Sequence, residues 1–112
     1  MAAEFDLSTA DDELLKKLAV LLCDKVWKND SYFVQESFAW LKAYRAGEFS
    51  ADMLRAVQNT TQDFTLTEEA ARPRLDAALA RGVKQLELYA SHPMDTNARF
   101  FRVKYRQVNW DE

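Results

Sequence analysis

Ser8-Thr9-Ala10-Asp11-Asp12-Glu13-Leu14-Leu15-Lys16-Lys17-Leu18-Ala19-Val20-Leu21-Leu22-Cys23-Asp24-Lys25-Val26 holds a helix start and a helix face in one run. Ser8 or Thr9 can cap the start, and Asp11, Asp12 and Glu13 then fill the first turn, where negative charge complements the helix dipole. Leu15, Leu18, Leu22 and Val26 recur at spacings of three and four, and Leu14, Ala19, Leu21 and Cys23 widen the stripe. A helix from about Thr9 to Lys28 is therefore expected, with an apolar face broad enough to sit at the centre of a bundle.

The rest of the chain supports the same class. Only two glycines, Gly47 and Gly82, and two prolines, Pro73 and Pro93, occur in 112 residues, where average usage supplies about eight and about six. Hairpin turns and phosphate-cradling loops need backbone conformations that glycine adopts cheaply, so a sheet-rich fold or a nucleotide loop lacks its material. Asn29-Asp30-Ser31 reads as a link to a second helix, Ser31 to Ala46, with Val34, Phe38 and Leu41 on one face and Phe33, Trp40 and Tyr44 on an adjoining one. Gly47 is placed to end it in a left-handed cap. Ser50 opens a shorter helix carrying Met53, Leu54 and Val57, which weakens in the polar string Gln58 to Asp63.

Thr65 and Glu68 have capping-box spacing, with Leu66 or Phe64 as the staple, ahead of a fourth helix whose stripe is Leu75, Leu79, Val83, Leu86 and Ala90. Pro73 implies a kink or a later start near Arg72, and the helix should stop before His92-Pro93. Between Asn97 and Trp110 two periods compete. Phe101, Val103 and Tyr105 alternate with Arg102, Lys104 and Arg106, and their β-branched and aromatic content favours a strand over Phe101 to Val108. The expected architecture is a single, mainly all-α domain spanning residues 1–112: an acidic arm (1–8), a bundle of about four helices (9–92) and an aromatic-basic extension (93–112) with a short strand.

Catalytic chemistry finds little to work with. Cys23 and His92 are the only pair available for a thiolate and its base, but Cys23 falls on an apolar helix face and His92 at a helix end. One Cys and one His leave no zinc set and no paired Glu-x-x-His of a bundle di-iron site, so no metal and no cofactor are expected. The longest apolar run, Leu18 to Cys23, has six residues, far short of the about 20 that cross a bilayer. The opening residues lack the basic and apolar regions of a secretory leader, and a single cysteine suits a reducing compartment, so a cytoplasmic location is expected.

Charge and aromatics supply the remaining leads. The net charge of −3 opposes a general nucleic-acid coat, but five acids and no base lie in the first 13 residues, whereas Arg99, Arg102, Lys104 and Arg106 lie between Thr96 and Trp110 without an acid. Three tryptophans, four tyrosines and seven phenylalanines exceed what a four-helix core of this size hides, and Trp27, Tyr32, Trp40, Tyr44 and Trp110 fall beside the clearest core stripes. Surplus aromatics without catalytic groups point to a non-enzymatic protein-protein interaction module, an adaptor, assembly factor, inhibitor or regulator. Trp40, Tyr44, Phe101, Tyr105 and Trp110 are the expected contact residues, and a homodimer pairing the acidic start with the basic end is one form of it. The alternative is a nucleic-acid-binding accessory protein with Arg99, Arg102, Lys104 and Arg106 on phosphates and Phe101 or Tyr105 stacking on bases.

Overall fold

The computed structural model describes residues 7–23 and 34–110. A 3-10 turn at Leu7–Thr9 leads into α1 (Asp12–Leu21), followed by α2 (Val34–Arg45), α3 (Ala51–Thr61), α4 (Glu68–Ser91) and α5 (Thr96–Gln107), with no strand among the described residues. The molecule is thus mainly helical, with five α-helices among the described residues, four within residues 9–92 and the fifth in place of the expected extension. No helix among the described residues is long and apolar enough to cross a membrane.

Helix α1 touches α2, α4 and α5. Leu15 and Leu18 are completely buried and Leu22 nearly so, joined by Leu41 of α2, Met53 of α3 and Leu79 of α4. Its start differs from the expected one: Ser8 and Thr9 are spent in the 3-10 turn, and Asp11 is the cap, accepting the Leu14 N–H at 2.9 Å. The rest of the expected continuation, residues 24–28, lies outside the described residues, as do Trp27 and Tyr32.

Gly47 closes α2 with φ of +100°, its N–H donating to the Tyr44 carbonyl at 2.9 Å while the Glu48 N–H reaches the Ala43 carbonyl at 2.9 Å. This paired closure is a Schellman motif, which satisfies two otherwise orphaned carbonyls. Ser50 caps α3, accepting the Met53 N–H at 3.1 Å. The polar string does not stop α3 early; it runs to Thr61, with the Thr60 and Thr61 hydroxyls donating to the carbonyls of Ala56 and Val57, and left-handed Gln62 ends it.

Thr65 is not the cap of α4. Asp63 accepts both its N–H at 3.1 Å and its hydroxyl at 2.7 Å, and Thr67 caps instead, accepting the Ala70 N–H at 3.2 Å. Leu66 and Ala71, at the staple positions for this cap, are both buried in the main core. Pro73 neither delays the start nor breaks the helix: it lies at an exposed position of α4, and the residue whose carbonyl loses its amide partner, Glu69, is exposed too.

The strand expected at Phe101 to Val108 is a helix. Asp95 accepts the Asn97 and Ala98 N–H groups at 3.0 and 3.4 Å, so α5 starts with its first amides satisfied. Ala98, Phe101, Tyr105 and Val108 then face inward at spacings of three and four, with Ala98 fully buried. Aromatic and β-branched content favours strands only where a neighbouring strand pairs with them, and here a helix satisfies its own backbone.

Candidate docking groove

Helices α4 and α5 are joined by four residues, His92 to Asp95, so α5 folds back beside the end of α4 and both lie against α1. His92 closes α4 with its N–H on the Leu88 carbonyl at 2.9 Å, and Arg102 donates to the Pro93 carbonyl at 2.9 Å, tying the turn to α5. A chain of rings crosses the resulting seam. Tyr89 meets Phe101 at 5.6 Å between centroids, Phe101 meets Tyr105 at 6.3 Å, Tyr105 meets Trp110 at 5.5 Å, and Trp110 meets Phe38 of α2 edge-on at 5.5 Å. The edge-on Trp110–Phe38 contact adds about 0.5–1.5 kcal/mol beyond area burial, and the other three contacts are tilted.

The chain end is held to the bundle by polar contacts as well. The Tyr105 hydroxyl donates to the Glu13 carboxylate, the Gln35 amide donates to the Asn109 carbonyl, and Trp110 Nε1 donates to the Tyr105 carbonyl at 3.3 Å. Burial, reinforced by the neighbouring Glu13 carboxylate, pushes the Tyr105 phenol up to about 12. Lys16 stands 5.6 Å from the Trp110 ring centroid and 5.8 Å from that of Phe38.

Beside this ring chain lies an open groove of about 450 Å³. Leu86, Tyr89, Phe101 and Tyr105 form its apolar lining, with Ala90 and Pro93 on the α4 side. Its charged lining is Lys17 of α1 and Arg102 and Arg106 of α5; among the described residues no carboxylate lines it. The groove therefore offers apolar and aromatic surface to a ligand under a positive field. A second hollow of about 370 Å³, lined in part by Val20, Leu21, Phe100 and Lys104, shares Tyr89 and Phe101 with the first and lies on another flank of α5.

The expected contact residues divide between two places. Phe101, Tyr105 and Trp110 come together in the ring chain. Tyr44 lies elsewhere, edge-on to Phe49 at 5.6 Å, under the Arg72 guanidinium and donating to Asp76 at 2.6 Å. Burial first, then the Asp76 carboxylate, pushes its phenol up to about 12. Trp40 is half-buried against the main core. The four cations divide too, with Arg102 and Arg106 on the groove, Lys104 on the second hollow, and Arg99 exposed on the side of α5 that its spacing shares with Arg102 and Arg106.

The sequence marks Leu86 and Ala90 only as core-stripe positions and Pro93 only as a helix stop, and it does not single out Lys17 or Tyr89, because nothing short of the α4–α5 turn brings these five to one place. Cys23 and His92 form no pair: Cys23 Sγ lies 3.2 Å from Ser37 Oγ in the core, and His92 Nδ1 lies 3.2 Å from the Leu88 carbonyl. Among the described residues no three His, Cys, Asp or Glu side chains gather in a group able to hold a metal. Comparison with protein-family models, with curated proteins and with solved structures gives no match for this chain.

Proposed function

We propose that this protein is a non-enzymatic protein-protein interaction module, of the adaptor, assembly-factor, inhibitor or regulator kind, and that the α4–α5 groove is where its partner docks. The observation that carries this reading is the groove itself, an apolar and aromatic lining with three cations and, among the described residues, no carboxylate in the lining; the nearby Glu13 carboxylate is taken up by the Tyr105 hydroxyl. Burying one large apolar side chain there contributes about 1.5–3 kcal/mol, and the cations speed and orient the approach of an acidic partner. Of the expected contact residues, Phe101 and Tyr105 are the ones this reading uses directly, while Trp110 supports Tyr105 from behind. A cytoplasmic working place goes with it, supported by the single cysteine of the chain, which is buried.

Self-association by exchange of the acidic start and basic end fits less well. Glu13 already receives the Tyr105 hydroxyl within one chain, so this part of the start is engaged in cis. Nucleic acid is the competing occupant, since Arg99, Arg102 and Arg106 share one side of α5. Phe101 and Tyr105, however, already pack at a tilt against neighbouring rings, which leaves them less open to receive bases.

A photo-reactive amino acid at position 90, exposed yet lining the groove, tests the proposal in the native cell. A nuclease-resistant cross-link to one protein, absent when the label is moved to exposed Phe64 and blocked by Arg106→Glu, is expected. Cross-links to nucleic acid alone, or equal labelling from both positions, would remove the docking assignment.

A further inference from the structure

Nearly everything that lines the groove is helical. Its backbone amides and carbonyls are already committed to α1, α4 and α5, and Pro93 in the turn has no N–H to offer. An extended segment laid on this surface would find no sheet edge to extend. Its own N–H and C=O groups would lose water against Tyr89, Phe101 and Tyr105 without gaining backbone partners, and each group left unsatisfied opposes binding. A helical segment carries its backbone hydrogen bonds with it and presents only side chains.

The charges narrow the choice again. Arg102 and Arg106 are one turn apart on α5, a rise of about 6 Å, which matches two carboxylates four residues apart on a facing helix. Lys17 reaches the groove from α1.

We infer that the occupant of the α4–α5 groove is an acidic amphipathic helix, with apolar anchors at three- and four-residue spacing on Leu86, Phe101 and Tyr105 and a pair of carboxylates one turn apart on Arg102 and Arg106. The inference rests on the docking function proposed above and adds the partner's conformation and charge pattern to it. The same helix would also adopt one orientation, because reversing it would move the carboxylate pair away from the two arginines.

The test uses the full chain and three fluorescent peptides of about five turns each, long enough to present several turns of anchors. One is a side-chain-stapled amphipathic helix bearing Leu and Phe anchors flanked by Glu at i and i+4; the second replaces each Glu by Lys; the third keeps the Glu sequence but carries two central prolines. Anisotropy should show the acidic helix binding at least about tenfold more tightly than either other peptide, with the advantage over the Lys peptide shrinking as salt rises. Ala90→Trp, a substitution at an exposed position that fills the groove, should abolish binding while leaving the circular-dichroism spectrum unchanged. Arg106→Glu should reverse the preference toward the Lys peptide.

Equal or tighter binding of the proline or Lys peptide, still lost in Ala90→Trp, overturns the acidic-helix inference and leaves the docking site standing. Binding of no peptide also overturns the inference, and the cross-linking from position 90 then judges the docking site separately. Binding that ignores Ala90→Trp removes both.

Discussion

A Cβ placed on Gly82 would sit 2.9 Å from Leu18 Cδ2 and 3.4 Å from Leu21 Cδ2, where α4 passes α1. Alanine gains about 1 kcal/mol in helix propensity, but relieving an overpacked core costs about 1–3 kcal/mol, and fully buried Leu18 has no solvent to swing into. Gly82→Ala should therefore lower stability by about 1 kcal/mol, and Gly82→Val by more, seen as a lower urea midpoint at unchanged slope. At Gly47 the reason is different: nothing lies within 4 Å of an added Cβ, and the positive φ alone carries a cost of about 1 kcal/mol for Gly47→Ala. Tyr44 and Tyr105 bring a pH dependence. Their phenols ionise near 12 when folded against an ordinary 10.0, so the neutral form is favoured by folding. That stability is fully present below pH 10 and is lost as pH rises toward 12. Absorbance titration should show late tyrosine ionisation that diminishes in the Tyr44→Phe/Tyr105→Phe double variant, and that variant should lose less stability than the wild-type chain across that range.

Elements were legible where one local signal decided them and illegible where two competed. The stripe Leu15, Leu18, Leu22 has a single period, and the core is built on it. Gly47 and Ser50 bracket the α2–α3 turn for reasons contained in their own backbone and side chain. Residues 97–110 fit both periods, and what selected the helix was the Asp95 cap and the lack of a strand partner among the described residues, the second of which is a tertiary fact. Asp95→Ala should accordingly cost about 1 kcal/mol and loosen α5 first, visible as faster amide exchange over Asn97 to Phe101. Pro73 gives the opposite sign. Restoring an amide at a helical, exposed position by Pro73→Ala should stabilise by about 1–2 kcal/mol, less than the full proline penalty, because the unfolded chain also regains freedom.

The groove belongs to the molecule rather than to any stretch of it. Its aromatics and two arginines were visible as a composition near the end of the chain, but Lys17 lies 85 residues before Arg102 and only the return of α5 onto α1 unites them. Aromatic surplus also overstated what is available to a partner, since Tyr44 and Trp110 are engaged with Asp76, Phe38 and Tyr105. Tyr89 and Leu21 share a small buried cluster with Ala98, so α5 is a wall of the core as well as of the groove. Removal of residues 96–112 should expose that cluster, raising binding of a hydrophobic dye and broadening the thermal transition, whereas Arg102→Ala/Arg106→Ala should leave the transition sharp.

The hydroxyl of Tyr105 and the carboxylate of Glu13 meet across 92 positions of sequence. A loop of that span closes slowly and at high entropic cost, whereas the α4–α5 hairpin assembles from neighbours. The end of α5 should therefore dock onto the first helix late in refolding, after pairs of helices adjacent in sequence have formed. Tyr105→Phe would then accelerate unfolding and barely alter the refolding limb of a chevron, so this one contact governs how long the native state lasts more than how fast it is reached.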